Sequence, residues 1–187
     1  MRRLIFSMTV SLDGYIAGPG NDIAWSVPDE QLFRFHTQQT GQLAGQICGR
    51  GLYETMRYWE TPAALDRSQT PLHHEFARIW VQLPKYVFSH TLDSVEGNST
   101  LLRGDLREEV ERLKREEGPP LAAGGAGLAG TLMRMGLVDE YRLFIRPILL
   151  GGGTRYFPAF ERYSELKLLE TRTFSSGQVL YARYARA

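Results

Sequence analysis

Apolar and polar residues follow two periods along this chain, and the switches between them mark its elements. Residues 3–10 read as a strand, with the β-formers Ile5, Phe6, Thr9 and Val10 ended by the turn pair Asp13-Gly14. After the loop Gly18-Pro19-Gly20-Asn21-Asp22, Pro28 is placed as an early helix residue. The acids Asp29 and Glu30 then fall in the first turn, where the helix dipole favours negative charge, and Leu32, Phe33 and Phe35 give the helix a buried side. Gln46-Ile47-Cys48 predicts a short strand that runs through Gly49-Arg50-Gly51 into a helix over 52–58. Residues 62–71 form a loop, 71–83 a helix with Leu72, Phe76 and Ile79 on one side, and 85–89 a strand. Leu106, Val110 and Leu113 stand at i, i+4 and i+7, which predicts an amphipathic helix over 105–116 with a charged outer face.

The last third is more sharply punctuated. Leu121-Ala122-Ala123 is a short buried strand before Gly124-Gly125, and a helix over 128–135 stops at Gly136, a C-terminal glycine cap. Residues 141–150 form a strong strand that Gly151-Gly152-Gly153 interrupts. Two strands near 166–174 and 178–185 flank the turn Ser175-Ser176-Gly177 as a terminal hairpin. Strand and helix alternate throughout, which predicts an α/β fold of three layers, a mainly parallel central sheet with helices on both faces and an antiparallel C-terminal hairpin. No internal repeat or linker divides the chain, so one domain over 1–187 is expected.

Composition narrows the function classes. Hydrophobic residues make up 43% and charged residues 23% of 187, the balance of an ordinary globular chain. A formal net charge of +1 argues against a nucleic-acid partner, which calls for a basic stripe. Cys48 is the lone cysteine and forms no internal disulfide, which fits a reducing, cytoplasmic compartment. The N-terminal apolar stretch is too short for a signal peptide, and no run of about 18 apolar residues exists. A soluble protein with no membrane partner and a small-molecule substrate is expected.

The chemistry gathers at predicted strand ends. Gly125-Ala126-Gly127-Leu128-Ala129-Gly130 fits G-x-G-x-x-G between a strand and a helix, where backbone approaches a diphosphate closely and a helix N-terminus favours anions. The same residues also suit a tight turn with small side chains for packing. The motif lies too late for an ordinary Rossmann domain, and no acid ends the following strand. Arg50 sits where a strand turns into a helix, and Ser89, His90 and Thr91 follow a second strand, so these side chains can converge on a phosphate. An ion pair for Arg50 and turn chemistry for Ser89 and Thr91 stand as alternatives. His73 and His74 are adjacent in a helix and make no metal pair, so no metal site is expected. Cys48 reads as core, the charged run at 107–117 as a solvated face, and Tyr181 and Tyr184 as a dimer interface or an exposed sheet.

Taken in order, these segments resemble the dihydrofolate reductases over nearly the whole chain. The matching stretches are Ser11-Leu12-Asp13-Gly14-Tyr15-Ile16-Ala17, Trp25-Ser26-Val27-Pro28-Asp29-Glu30, Gly49-Arg50 with Tyr53-Glu54, Val87-Phe88-Ser89-His90, Ala123-Gly124-Gly125 and Gly153-Thr154-Arg155-Tyr156-Phe157-Pro158. Gly124 to Leu128, Gly136 to Glu140 and Pro147 to Gly153 are more similar still to the reductase domain of the bifunctional riboflavin-biosynthesis deaminase/reductase and its stand-alone bacterial relatives. The resemblance implies a dihydrofolate-reductase-like fold and an NADPH-dependent reductase acting on a pyrimidine- or pterin-type ring, working as a homodimer. It implies cofactor contacts at Ala17, Gly49, Arg50, Ser89, His90, Thr91, Gly124, Gly125, Ala126, Gly127 and Leu128, with a cis peptide at the Gly-Gly turn. Substrate contacts fall on Trp25, Phe33 and Thr154. Glu30 is the candidate catalytic carboxylate, expected partly buried between Val27 and Leu32-Phe33 with a raised pKa, and Asp13 is the second candidate. A non-catalytic nucleotide-binding or sensor module is the alternative.

Departures from the pattern bear on substrate. Leu52 replaces a threonine after Gly49-Arg50, Ala126 and Ala129 replace larger or polar residues, and the stretch between Trp59 and Lys85 has no counterpart in the short folate enzymes. No arginine for a folate glutamate is found, which argues against folate. One cysteine excludes a zinc deaminase half.

Overall fold

The computed structural model describes residues 1–174 and 178–187, so the turn expected at Ser175-Ser176-Gly177 lies outside the described residues. In chain order the elements are β1 (Leu4–Ser11), β2 (Tyr15–Ala17), α1 (Glu30–Gly41), β3 (Gly45–Gly49), α2 (Arg50–Met56), α3 (Pro71–Gln82), β4 (Lys85–Phe88) and β5 (Ser99–Leu102). They continue with α4 (Leu106–Arg115), β6 (Leu121–Gly124), α5 (Ala126–Arg134), β7 (Glu140–Arg146), β8 (Thr154–Arg155), β9 (Leu166–Phe174) and β10 (Val179–Arg186). Eight strands form one sheet in the order β5-β4-β3-β6-β1-β7-β10-β9, while β2 and β8 form a small antiparallel pair. From β5 to β7 every pairing is parallel, and β10 then pairs antiparallel with both β7 and β9.

Side-chain alternation along the strands divides the sheet into two faces. On one face, α4 and α5 place Val110, Leu113, Ala129 and Leu132 over Leu4, Phe6, Ile47 and Leu121. On the other, Leu32 and Phe35 of α1 pack on Phe144, Phe174 and Tyr181, and Tyr53 of α2 packs on Cys48 and Val87. Trp80 and Phe76 of α3 close this layer against Phe33 and Trp59. Helices thus cover both faces of a mainly parallel sheet, as such sheets require.

Several sequence expectations need adjustment. Pro28 stands outside α1, whose N-cap is Asp29, the carboxylate accepting from Leu32 N at 2.9 Å. Phe33 leaves the Leu32-Phe35 side and joins Trp59 and Phe76, so α1 buries two stripes. β7 ends at Arg146 because Pro147 offers no N–H to the ladder. β5, β2 and β8 were not expected. Tyr181 is 1% exposed and belongs to the core beside Phe35 and Phe144, which removes it from any dimer surface. Lys114 breaks the solvated run: it is buried, donates to Leu137 O at 2.7 Å and pairs with Asp139 at 2.6 Å.

The α1 face also carries a buried charge cluster. The Glu140 carboxylate, fully buried at the start of β7, lies 2.7 Å from Arg3, 2.7 Å from Arg142 and 2.8 Å from Arg183. Removing one partner of a buried pair costs about 3–5 kcal/mol, because the cations left behind are desolvated and uncompensated. Glu140→Gln should therefore lower the urea midpoint with little change in its slope, by a stability loss of about 3 kcal/mol. A loss under about 1 kcal/mol would mean that water reaches the arginines.

Candidate functional site

Strand register brings the predicted phosphate-end residues together. Gly49 pairs with Phe88 across β3 and β4, and Cys48 pairs with Gly124 across β3 and β6. The residues just past these pairs, Arg50, Ser89 and Gly125, therefore leave the sheet side by side along its C-terminal edge. Arg50 opens α2, donates Nη1 to Thr91 Oγ1 at 3.2 Å and pairs through Nε with Glu54 at 2.7 Å. Ser89 is 9% exposed, and its Oγ accepts from the backbone N–H of Thr91 at 3.2 Å and of Leu92 at 3.1 Å. These groups perform turn and ion-pair chemistry, and they stand in one cluster. His90 is exposed on the same turn.

The glycine turn lies next to this cluster. All peptide bonds among the described residues are trans, so the implied cis peptide at Gly124-Gly125 is absent, and Gly125 makes the turn at φ +85. A Cβ on Gly124 would collide with Leu52 Cδ2 and Gln46 Nε2, so a larger residue there would have to displace both side chains. Nothing lies within 4 Å of where a Cβ would stand on Gly51 or Gly127, so the backbone there faces open space. The first intrahelical bond of α5 runs from Ala129 N to Gly125 O at 2.9 Å. The N–H groups of Ala126, Gly127 and Leu128 precede it and have no acceptor within the helix.

The small β2–β8 pair places Ala17 opposite Thr154. Gly153, at φ +118, comes so close to Ala17 O and Gly18 that no Cβ fits. Asp13 ties this region to β1. Its carboxylate accepts from Ser11 Oγ at 2.6 Å, Leu150 N at 3.1 Å and Gly151 N at 2.7 Å. The Ser11 hydroxyl and the two backbone N–H groups hold its pKa below the ordinary 3.8. Such a group is a clamp held in its charged form and a poor proton donor.

Glu30 departs from expectation. Leu32 lies two residues on, about 200° around the helix, so burying Leu32 turns Glu30 outward. Its side chain is 79% exposed and pairs with Arg34 at 2.9 Å, which overturns the partial burial expected for it. Glu30 and Phe33 line a groove of about 900 Å³ with Trp59 and His73, and the strand-end cluster contributes no residue to that groove. Trp25 donates its indole N–H to Asp22 O at 3.2 Å and borders a separate groove of about 580 Å³ with Arg146.

A chamber of about 300 Å³, missed by the sequence reading, lies between the sheet and the α1–α3 layer. Ser7, His36, Gln46, Trp80 and Arg142 bring polar groups to its wall, and Leu52 and Gly124 join it to the glycine turn. Burial pushes the His36 imidazole down to about 4, which leaves it neutral near physiological pH. The one local signal was Gln46, a polar residue inside the apolar strand Gly45–Gly49.

The sheet order and the glycine turn define a dihydrofolate-reductase-like α/β domain. A dihydrofolate reductase from Enterococcus faecalis, solved with NADP(H), superposes at TM-score 0.64 with 14% identity, covering 98% of this chain and 96% of that one. A structure from Shewanella sp. PV-4, provisionally named for riboflavin biosynthesis, superposes at TM-score 0.77 with 22% identity, covering 100% and 99%. The sequence itself matches the RibD C-terminal domain over residues 2–180, so the chain belongs to that family of reductase-type domains. The uncharacterized protein YyaP of Bacillus subtilis (strain 168) is 32% identical over 184 residues, covering 96% of this chain and 94% of YyaP.

The Asp13 clamp has a pH signature. A carboxyl whose folded pKa is depressed stabilises the fold above its unfolded value, and that stabilisation is lost as pH falls through the folded value. Wild type should melt above Asp13→Asn at neutral pH, and the gap should close as pH drops below 3.8. A gap that persists unchanged in stronger acid would remove the ionised carboxylate from the clamp.

Proposed function

We propose that this protein is an NADPH-dependent reductase of a small heterocycle of pyrimidine or pterin type. The observation that carries this reading is the cluster of Arg50, Ser89 and Thr91 one strand away from the open glycine turn at Gly124-Gly125. These residues fit a dinucleotide: a guanidinium with two hydroxyls offers donors to a phosphate, and three free helix N–H groups beside side-chain-free backbone suit a diphosphate. NADPH would supply the hydride. Family membership and the fold shared with an NADP(H)-bound dihydrofolate reductase support the cofactor class, and the riboflavin-biosynthesis naming of the Shewanella structure supports the ring class.

The chain's own residues have separate tasks in this reading. Arg50, Ser89 and Thr91 grip the terminal phosphate, with His90 at its rim. Gly49 and the run Gly124 to Leu128 let backbone approach the diphosphate. Ala17 and Thr154, paired across β2 and β8, border the reactive end, and Asp13 holds the loop after β7 against them. Asp13 is thereby assigned to positioning, and Glu30, facing solvent, to the Arg34 pair.

Titration of the protein with NADPH and NADH, followed by nicotinamide fluorescence and melting temperature, tests the reading. NADPH should bind more tightly than NADH. Arg50→Ala should weaken NADPH by roughly tenfold or more, the range for a lost charge-assisted hydrogen bond, and weaken NADH less. No response at millimolar cofactor would overturn the proposal. Binding without oxidation in the presence of cyclic imines and lactams would leave a nucleotide-binding module.

A further inference from the structure

A further groove, of about 700 Å³, opens at the end of the sheet where the parallel strands begin. Tyr141, the second residue of β7, and Arg186, the last of β10, reach it from the sheet. Met133 and Arg134 reach it from the end of α5. That helix starts at the glycine turn, so its nine residues separate this groove from the strand-end cluster. None of Arg50, Ser89, Thr91 and Gly125 lines it. The floor is apolar. Met133 and Tyr141 are core residues, and the Tyr141 ring meets Phe157 edge-on at 5.3 Å. Phe160 and Tyr163 add two exposed rings to the wall.

Charge on this wall is unbalanced. Three guanidiniums, those of Arg134, Arg162 and Arg186, face one carboxylate, that of Glu161. Among the described residues none of the three is paired with an acid. Arg134 donates to Thr131 Oγ1 at 3.3 Å, Arg186 donates to Gly136 O, and Arg162 has neither a hydrogen bond nor an ion pair. The arginines around Glu140 and the buried Lys85 and Lys114 each have a carboxylate. Tyr141 is 6% exposed, yet its hydroxyl makes no hydrogen bond among the described residues, although buried polar side chains almost always have a partner. Burial holds this phenol above its ordinary 10.0, so it remains a donor at neutral pH. Guanidinium forks suit a carboxylate or a phosphate, and aromatic walls suit a flat ring. An uncharged guest would desolvate the surplus cations without compensation.

We propose that this groove binds a planar aromatic anion, a ring bearing a carboxylate or a phosphate group. The arginines hold the anionic group, the Tyr141 hydroxyl donates to it, and Phe157, Phe160 and Tyr163 contact the ring. The site is separate from the one assigned to the cofactor, and it stands whether or not the protein is a reductase.

Calorimetry with four probes tests the site. 2-Naphthoate and 2-naphthyl phosphate carry ring and charge, 2-naphthamide keeps the ring without the charge, and cyclohexanecarboxylate keeps the charge without the aromatic ring. At least one of the two aromatic anions should bind, and the tighter of them identifies the anionic group. The amide and the cyclohexane acid should each fall at least about tenfold below it. Arg162→Gln, at an exposed side chain with no partner to lose, and Tyr141→Phe, which keeps the ring, should each weaken the tighter anion by about tenfold with little change in melting temperature. Arg50→Ala should leave it unchanged. No binding at millimolar probe, equal affinity for the amide, or affinity that neither groove variant lowers would overturn the proposal. Loss of binding in Arg50→Ala would overturn it too, because the anion would then sit at the strand-end cluster. So would affinity that rises as the protein is diluted, since a second copy of the chain would then fill the groove.

Discussion

In a parallel sheet the strand ends stand where the register puts them, and here that register is pinned by a residue with no side chain. A Cβ on Gly45 would lie 2.9 Å from Tyr86 Cε2 and 3.1 Å from Pro84 O, so a larger residue at this point would push the Tyr86 ring aside and crowd β3 off β4. From that contact, Gly49 falls opposite Phe88 and Cys48 opposite Gly124. A slip by one residue would move Arg50 by about 3.3 Å, enough to break its hydrogen bond to Thr91. The same slip would turn every side chain of β3 to the opposite face, sending Gln46 into the apolar layer under α4 and α5 and leaving Ile47 in the chamber.

Gly124 carries the same logic one strand further. Leu52 and Gln46 already fill the space of its missing Cβ, so the last residue of β6 is wedged between the start of α2 and the middle of β3. The wedge joins two regions of different character. One is the open edge where Arg50 and the first N–H groups of α5 stand, and the other is the chamber under α1 and α3. Where a threonine stands in the folate enzymes that the sequence resembles, this chain has Leu52, and the leucine serves as part of the wall between them.

How far these features could be read from residues alone follows from how local their causes are. Helix α4 was legible because Leu106, Val110 and Leu113 share one face, and Gly136 at φ +71 ends α5 as a left-handed cap should. β5 was not, since Ser99-Thr100-Leu101-Leu102 is short and follows a polar loop. β2 and β8 have three and two residues, too few to show a period. The Arg50–Ser89–Thr91 cluster was legible because each member marks the end of its own strand. The chamber was hidden because its polar members arrive from β1, α1, β3, α3 and β7, and no spacing in the sequence links Ser7 to Trp80. Glu30 misled because its apolar neighbours were counted in sequence, while exposure depends on the angle around the helix.

The two faces of the sheet follow different economies of burial, and that asymmetry bears on function. The face under α4 and α5 is mainly apolar, aliphatic and aromatic side chains together, with Lys114 the buried charge at its edge. The opposite face holds Lys85, whose side chain is 2% exposed and pairs with Glu60 at 2.8 Å, the Glu140 cluster, and the Trp80 indole N–H, which has no partner among the described residues. Polar groups in a core cost stability unless each finds a partner. The Lys85 and Glu140 pairs meet that requirement internally and need no ligand. The Trp80 indole N–H does not, and it lies on the wall that Leu52 and Gly124 join to the glycine turn.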